Sequence, residues 1–549
     1  MNVIQRIRFP QDEEIQDLYV RTFGPIGSSV HVGSGEVFLG RGGAVSLDTY
    51  FNSFYEQYYV NHTGLRAVYY VLNLEGDFLI QVYRERYEAP SQFLCVFEAR
   101  DCQRFCPVKV ILPELETGQH SGRIFLKMTC QSERGWFGGG VLATDQERER
   151  DVHLGVIICT FQREAEVKAI VDVLLNDNDL KGKDWTLWLI DNGRTLDDQA
   201  FKDSRVQIVP NRNCGGSGGF ARGLMEGCRD SHATHFLLLD DDIQLDSESI
   251  FRLFAIYEYA KEDLALAGSM FYLGHKNQLT EAGGQWQIQG VNQKFLGLKH
   301  DLYLKTAEDL NYLLVEEKVN CGGFWFFGFP RVILEKIGLP MPFFIGCDDR
   351  EYGMRIKARC GGKIVPFPSL AVWHEMYMRH EILISRQAYY RTRNMLIVQS
   401  IYRDRIEFFG RMLKDVLRAI FLFDYDFARL YLKAAEDFLK GPGFLKTKDP
   451  EELHHEIAGL RSKPLFSKDG SGFSDKSFQK PTPMGFLATW IRLATLNGHL
   501  LPDILLKEDP VSVSSEDFPA WRKAFRARKT RIYIYESTEG AYYENVMDK

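Results

Sequence analysis

At 549 residues, with 45% apolar and 26% charged residues, the chain has a globular composition and is too long for one compact domain. Its formal net charge of -7 gives no reason to expect a nucleic-acid partner. The first residues are not followed by an apolar run that would predict a signal peptide, and no 18 consecutive apolar residues predict a membrane span. Ten irregularly spaced cysteines are typical of reduced thiols, and Cys102 and Cys106 lack the second pair that a zinc site needs. We therefore expect a cytoplasmic protein.

Short β-branched and aromatic segments fill the first part of the chain. Residues 78–83, 108–112 and 123–128 show partial alternation and are separated by Gly, Pro and Asn. Several such segments predict an antiparallel β-sandwich or jelly roll over residues 1–150. Its many aromatic residues could stack against sugars or form an ordinary core, and both interpretations stay open.

The pattern changes near residue 151. An apolar strand at residues 152–160 is followed by a helical pattern at 164–175 and by a second buried strand at 185–190. Strand, helix and strand with short links indicate a parallel α/β unit. Residues 213–224 then predict a glycine-rich loop that enters a helix, whose backbone amides could meet a phosphate or ribose.

The most informative segment is residues 235–246, where an apolar strand runs into Asp240, Asp241 and Asp242. Because strand side chains alternate, Asp240 and Asp242 should share one face and Asp241 the other. Two carboxylates at a strand end suit Mg²⁺ or Mn²⁺ carrying a diphosphate. A solvated acidic turn is the alternative.

Further acidic groups follow other predicted strands. Asp191 closes the strand at 185–190, Asp348 and Asp349 open a predicted helix at 350–359, and His374 follows a short apolar strand. A parallel sheet brings strand ends together, so these groups can share one site, with His374 either a third metal ligand or a structural histidine. The set fits transfer from a nucleotide sugar, in which metal neutralises the leaving diphosphate and a carboxylate takes the acceptor proton.

Residues 401–549 predict a mainly helical domain. Amphipathic patterns cover residues 408–423, 427–439 and 450–460. Residues 521–531 combine basic and aromatic side chains, and this segment could rest on anionic lipid or form a solvated helix face. If it contacts lipid, the protein is peripheral on the inner face of the membrane.

Several motifs together resemble those of one enzyme family. They are residues 159–163, 190–193 and 213–222, the Asp240 triplet, the Asp348 pair and Trp373-His374. In this order they resemble GT-A glycosyltransferases of family 2, and more narrowly the bacterial galactofuranosyltransferases that polymerise galactan from UDP-galactofuranose. The resemblance implies an α/β class with an N-terminal β-sandwich (1–150), a GT-A domain (151–400) and a C-terminal helical domain (401–549).

The resemblance also implies roles for individual residues. Asp349 would be the catalytic base with Asp348 beside it, orienting the acceptor, and Trp325 and Glu281 would line the acceptor channel. Mn²⁺ or Mg²⁺ would be held by Asp240, Asp242 and His374. The uridine diphosphate donor would contact Thr160, Arg163, Asp191, Asn213, Gly216, Asp240 and Arg391. An inverting single displacement follows from one metal and one base on opposite faces.

The sequence also departs from the family pattern on the acceptor side. Cys347 replaces a tryptophan, Phe324-Trp325 replaces two tryptophans, Tyr377 stands for an aromatic after the histidine, and Arg391 replaces a histidine. These changes leave the acceptor open, although the resemblance implies a lipid-linked glycan of a cell-surface polysaccharide.

Two other functions compete with galactofuranosyl transfer. One is rhamnosyl transfer from a dTDP-sugar, because related sequences share the glycine and acidic motifs. The other is a non-catalytic, carbohydrate-binding component of a polysaccharide assembly complex. A homo-oligomer is compatible with all three.

Overall fold

The computed structural model describes residues 1–24, 29–31, 35–287, 294–296, 299–375, 387–460, 486–506, 511–514, 531–536 and 541–548. The chain forms two compact units. The first comprises Met1–Gln287, Lys294–Met341 and Asp348–Met376, and the second Ile288–Gln293, Pro342–Cys347 and Tyr377–Lys549. Both large sheets belong to the first unit, and the domain boundaries near residues 150 and 400 stay predictions.

The N-terminal part of the first unit is an antiparallel sheet with one helix, α1 (Glu56–His62). Its strands are β1 (Asn2–Arg6), β2 (Arg21–Phe23), β3 (Ser29–His31), β4 (Glu36–Gly40), β5 (Ala44–Ser46), β6 (Tyr69–Glu85), β7 (Gln92–Cys102), β8 (Val108–Ile111), β9 (Arg123–Cys130) and β10 (Arg134–Thr144). The long β6 pairs with β8 and β10 along its first half and with β7 and β9 along its second, so it links two halves of a curled sheet. Phe78, Ile80 and Val82 alternate into the core, as a strand period of two requires. The predicted antiparallel N-terminal region is confirmed.

The central part of the first unit alternates strands and helices. Its strands are β11 (Leu154–Thr160), β12 (Trp185–Asp191), β13 (Val206–Pro210), β14 (His235–Leu239), β15 (Ile243–Leu245), β16 (Ala265–Tyr272), β17 (His275–Glu281), β18 (Gln285–Gln287), β19 (Lys294–Leu296), β20 (Leu302–Tyr303), β21 (Phe327–Pro330) and β22 (Ile364–His374). Its helices are α2 (Glu164–Asn176), α3 (Gly215–Arg229), α4 (Ser247–Glu258), α5 (Arg331–Ile337) and α6 (Asp348–Cys360).

The central sheet is only partly parallel. Strands β13, β12, β11 and β14 are parallel neighbours in that order, which confirms the predicted parallel unit of β11 and β12, but β21 runs antiparallel between β14 and β16. A second pair, β16 and β22, is parallel, and β22 also pairs antiparallel with β15. The carboxyl ends of β11, β12 and β14 therefore lie at one edge, where open α/β sheets bind ligands.

Helix α4 begins with a capped first turn of polar residues. The Asp246 carboxylate accepts a hydrogen bond from the Glu248 backbone amide and so caps the helix. Glu248 is fully buried, where its carboxylate accepts hydrogen bonds from Arg6 at 2.6 Å and from Arg252 at 2.8 Å. Ser247 and Glu248 thus form the buried first turn of a helix that joins the N-terminal and central parts of the first unit.

The second unit is mainly helical, which confirms the predicted helical C-terminal region. Its helices are α7 (Gln387–Tyr402), α8 (Phe408–Phe421), α9 (Tyr425–Leu439), α10 (Pro442–Thr447), α11 (Pro450–Gly459) and α12 (Phe486–Ala494). A sheet that the sequence analysis did not predict contains β23 (Val511–Ser514), β24 (Arg531–Glu536) and β25 (Ala541–Val546). Of the basic aromatic segment, residues 521–530 lie outside the described residues. None of the helices described has both the length and the apolarity to cross a membrane.

Candidate active site

Asp240, Asp242 and His374 converge just beyond the end of β14. The histidine Nε2 lies 2.9 Å from an Asp242 oxygen and 3.7 Å from an Asp240 oxygen, and one ligand atom from each residue fits within a 4.8 Å cluster. The strand register explains the meeting, because β15 follows the acidic triplet and pairs Ile243 with His374, the last residue of β22. His374 thus joins Asp240 and Asp242 in one cluster, although it is far from them in sequence.

The cluster has the chemistry of a divalent metal site. His374 Nδ1 bonds the backbone oxygen of Glu375 at 2.5 Å, which leaves Nε2 directed at the two carboxylates. Burial raises the pKa of Asp240 to about 7. Burial lowers the pKa of His374, but the hydrogen bond with Asp242 and the nearby carboxylate charges outweigh this effect and raise the histidine pKa to about 9. The buried carboxylates therefore stabilise a positive charge between them and His374. A metal cation can provide that charge in place of the proton on the histidine.

Arg163 lies on the other side of the acidic triplet. Its Nη1 contacts Asp241 at 2.9 Å and Asp242 at 2.5 Å. Asp242 therefore contacts both Arg163 and His374, so the expected alternation, with Asp241 alone on the opposite face, does not separate Asp241 from Asp242. The guanidinium thus lies beside the cluster of Asp240, Asp242 and His374, and its donor-binding role stays a prediction.

Thr160 and Asp191 are adjacent at the carboxyl edge of the parallel strands. They end β11 and β12 and are paired in register. The Asp191 carboxylate accepts hydrogen bonds from the backbone amides of Gly193 at 3.0 Å and Leu196 at 2.8 Å. The carboxylate thus shapes the loop after β12, and its donor-binding role stays a prediction.

The glycine-rich motif is the first part of helix α3 rather than a loop before it. Asn213 accepts a hydrogen bond from the Gly215 amide at 3.1 Å, just ahead of the helix. A Cβ on Gly219 would lie 1.9 Å from the Cys159 sulfur, so the helix packs on β11 at a distance that only glycine permits. By contrast, nothing lies within 4 Å of a Cβ on Gly216, which leaves that side of the helix N-terminus open.

Asp348 and Asp349 occupy the first turn of α6, where the helix dipole favours negative charge. Ser217 of α3 donates a hydrogen bond to the Asp348 carboxylate at 2.7 Å. Burial and the charge of Asp349 raise the pKa of Asp348 to about 6, and burial raises the pKa of Asp349. The charge of Asp348 also helps to raise the pKa of Asp240, so Asp348 lies within electrostatic range of the metal cluster.

Glu281, at the end of β17, belongs to the same charged group. Burial raises the pKa of Glu281 to about 7, Arg350 opposes this effect, and Asp349 adds to it. Arg350 likewise lowers the pKa of Asp349 against the effect of burial. The positive charge of Arg350 therefore stabilises the ionised forms of both Asp349, the predicted base, and Glu281, a predicted acceptor residue.

The two neighbours Phe324 and Trp325 have different surroundings. The Trp325 ring lies 6.5 Å from the His374 ring, and its Nε1 donates a hydrogen bond to the Gly268 oxygen at 3.2 Å. Phe324 is buried and packs edge-on against Phe220 with ring centroids 5.3 Å apart. Only Trp325 of the pair lies beside the metal cluster.

Two of the remaining predictions concern other parts of the chain. Arg391 lies on α7 in the second compact unit, and its donor-binding role stays a prediction. Cys347 also belongs to the second unit, and its backbone is left-handed, with φ of 70°. Tyr377 lies outside the described residues.

Sequence reasoning missed Ser217 and Arg350 as parts of the site. Both were visible in the motifs, since Ser217 stands among four glycines and Arg350 directly follows Asp349. The glycine motif was interpreted through its backbone amides alone, so the hydroxyl that reaches Asp348 was overlooked.

Known families match both parts of the first unit. The profile described as "Glycosyltransferase like family 2" matches residues 152–391, and the profile "Galactofuranosyltransferase 2 N-terminal" matches residues 4–137. Residues 152–391 thus form a family 2 glycosyltransferase domain. The protein is an enzyme of nucleotide-sugar glycosyl transfer, and its resemblance to the galactofuranosyltransferases is confirmed by the N-terminal match.

Two relatives of this glycosyltransferase are the galactofuranosyltransferases GlfT2 of Mycobacterium tuberculosis and Mycolicibacterium smegmatis. The first is 27% identical over 427 residues, covering 74% of this chain and 66% of the relative. The second is 26% identical over 476 residues, covering 80% and 72%. The chain thus spans about two thirds of the length of these relatives.

Similar solved structures include a mannosyltransferase from Pyrobaculum calidifontis in complex with GDP-Man and Mn²⁺, and residues 1–349 of S. aureus TarS. Both are 12% identical to the glycosyltransferase, with TM-scores of 0.32 and 0.30. They cover 57% and 56% of this chain and 81% and 80% of their own. The family match, the acidic cluster and the two flanking regions confirm the predicted GT-A class.

Proposed function

We propose that the protein is an inverting, metal-dependent galactofuranosyltransferase that moves galactofuranose from UDP-galactofuranose to a hydroxyl of a glycan acceptor. The observation that carries the proposal is the meeting of two acidic groups: the Asp240, Asp242 and His374 cluster, and the Asp348 and Asp349 pair. One group suits a metal and the other a general base. The kinship with galactofuranosyltransferases supports this sugar.

Metal binding would use Asp240, Asp242 and His374. A bound Mn²⁺ or Mg²⁺ would neutralise the diphosphate as it leaves. Arg163 lies beside these ligands and would bind a diphosphate oxygen, exchanging its contact with Asp242 for the donor. Thr160, Asp191, Asn213 and Gly216 would hold the uridine end at the edge of β11 and β12.

Proton transfer would be the task of Asp349. Its carboxylate would accept the proton of the acceptor hydroxyl while the oxygen attacks the anomeric carbon and the bond to UDP breaks. Attack on the face opposite the leaving group inverts the configuration. Asp348, fixed by Ser217, would orient the acceptor, and Glu281 and Trp325 would line its channel.

The decisive experiment is a donor screen. The purified protein is incubated with Mn²⁺, a galactofuranosyl disaccharide acceptor and one sugar nucleotide at a time, and released nucleotide diphosphate is measured. We expect release from UDP-galactofuranose, and little from UDP-galactopyranose or dTDP-rhamnose. Turnover of dTDP-rhamnose instead would identify a rhamnosyltransferase, and no turnover of any donor would favour the carbohydrate-binding alternative.

A lipid-linked acceptor is the second part of the proposal. Helix α12 exposes Leu487, Trp490, Ile491 and Leu493, an apolar set that suits contact with a membrane surface. Peripheral attachment would bring the enzyme to such an acceptor. Flotation with vesicles of anionic lipid tests this point, and binding should weaken when Trp490 and Leu493 are replaced by serine. Unchanged binding would contradict attachment through this helix.

A further inference from the structure

A cleft of about 510 Å³ lies in the first unit on the reverse side of the ribbon formed by β15 and β22. The register pairs Ile243 with His374 and, one step along, Gln244 with Trp373. Gln244, Leu245 and Trp373 line the cleft, whereas Asp240, Asp242 and His374 do not, and His374 faces Asp242. The cleft is therefore separate from the metal cluster, although the same two strands form one wall of both.

The charged groups of the cleft are matched within its walls. Arg6 Nη1 contacts Asp177 at 2.8 Å and Asp179 at 2.7 Å. Arg8 contacts Asp246 at 3.4 Å. Because both arginines and all three of these carboxylates are already paired with each other, the wall offers no unpaired cation to a phosphate and no unpaired carboxylate to a metal ion. A neutral ligand fits this wall better than an ion.

The rim offers hydrogen bonds that the protein does not use. Gln11, Asn176 and Gln244 are exposed at the cleft, and none of these amides has a side-chain hydrogen bond to another residue in the described part of the chain. Each amide presents a donor and an acceptor side by side. That arrangement matches adjacent hydroxyls, which also donate and accept.

The floor of the cleft is apolar. Ile15, Val173 and Leu245 line it beneath the amide rim. A sugar ring has polar hydroxyls around its edge and C–H groups on its faces, so it can satisfy the amides and cover an apolar floor together.

The geometry points to a second glycan site: this cleft binds a neutral oligosaccharide through the amides of Gln11, Asn176 and Gln244. The identity of the glycan rests on the proposed function, which makes it a galactofuranosyl chain. Two sources share that chemistry, namely the part of a long acceptor remote from the reacting hydroxyl, and the elongated product.

Binding of a galactofuranosyl tetrasaccharide to the full chain tests the site directly. Calorimetric titration is performed in a Trp325→Ala background, which weakens binding at the acceptor channel. The double variant Gln244→Ala with Asn176→Ala should bind about tenfold more weakly, because two hydrogen bonds are lost. Asn176→Trp, which fills the rim, should have the same effect, and the exposed amide variant Gln103→Ala should have none. Unchanged affinity in both cleft variants would overturn the proposal.

Kinetics with short and long acceptors separate the two sources. If the acceptor occupies the cleft, the double variant raises KM for an octasaccharide acceptor and leaves kcat/KM for a disaccharide unchanged. If the product occupies it, only inhibition by the elongated product weakens. If neither the octasaccharide KM nor the product inhibition changes, the proposal of a glycan site in the cleft is overturned. Transfer to the disaccharide would still support the proposed function. Oligosaccharide binding that depends on the cleft in a protein without galactofuranosyl transfer would reject the proposed function alone.

Discussion

Ser217 on α3 donates a hydrogen bond to Asp348 on α6 at 2.7 Å, and so ties the glycine-rich motif to the paired aspartates. The two residues are 131 positions apart in the chain. The hydrogen bond lowers the pKa of Asp348 against the larger effect of burial. Ser217 of the glycine-rich motif, which is proposed to bind the donor, thus acts on Asp348, which is proposed to orient the acceptor.

Replacement of Ser217 by alanine should lower kcat about tenfold, because a hydrogen bond to a charged group is lost. The pKa of Asp348 should rise, so activity should begin to fall at a higher pH as the solution is acidified. Steady-state kinetics across pH measure both effects. Ser204→Ala, at an exposed serine, is the control, and an unchanged pH profile would show that Ser217 only packs.

Asp349→Asn should reduce kcat by about a hundredfold or more, since an amide cannot take the acceptor proton. Binding of UDP with Mn²⁺ should be nearly unchanged, because the metal cluster is intact. Calorimetry with UDP and product analysis by mass spectrometry measure the two quantities. Asp151→Asn, at an exposed position, is the matched control. Full activity in the Asp349 variant would reject its role as base.

Metal removal should abolish transfer, and Mn²⁺ should restore it. Added Mn²⁺ should also raise the melting temperature of the wild type, because a ligand that binds only the folded state stabilises it. His374→Ala should weaken this thermal shift and raise the Mn²⁺ concentration needed for half-maximal activity at least about tenfold. His232→Ala, at an exposed histidine, should behave as wild type. A thermal shift that survives in the His374 variant would exclude this residue as a ligand.

The acidic strand was predictable because its signal is local. An apolar run that ends in carboxylates predicts a buried strand with acidic groups at its end. Alternation did not separate Asp241 from Asp242, because the strand ends at Leu239 and Arg163 contacts both carboxylates. His374 could be suspected only from its place after an apolar segment, and its contact with Asp242 depends on the register of β15 and β22.

The remaining parts depend on contacts that a local pattern does not contain. The apolar segment of β21 carries no signal of direction, so its antiparallel insertion between β14 and β16 was missed. The glycines of α3 predict a loop by propensity, yet Gly219 is helical because the helix must approach Cys159. Arg350 acts on Glu281 through tertiary structure alone.

The pH dependence of the reaction should respond to Arg350. Its positive charge lowers the pKa of Asp349, so Arg350→Met should raise that pKa. The base must be ionised to accept a proton, and the acid limb of kcat/KM should therefore move to higher pH. Arg350→Lys keeps the charge and should keep most of the wild-type profile. A profile that does not move in the methionine variant would show that another group sets the acid limb.

Close packing of α3 on β11 should make Gly219 critical for stability. A Cβ at this position would lie 1.9 Å from the Cys159 sulfur, so Gly219→Ala should cost about 1–3 kcal/mol of the free energy of unfolding. Adding Cys159→Ala to it should recover part of this loss, because the contact with the sulfur is removed while the closer approach to the Cys159 Cβ, at 2.8 Å, remains. Gly216→Ala, with nothing within 4 Å of its Cβ, is the control and should leave stability unchanged or improve it, since alanine favours helix. Urea unfolding measures all three. If Gly219→Ala were as stable as Gly216→Ala, the helix would have room to move away from β11, and the glycines of the motif would then need a reason other than packing.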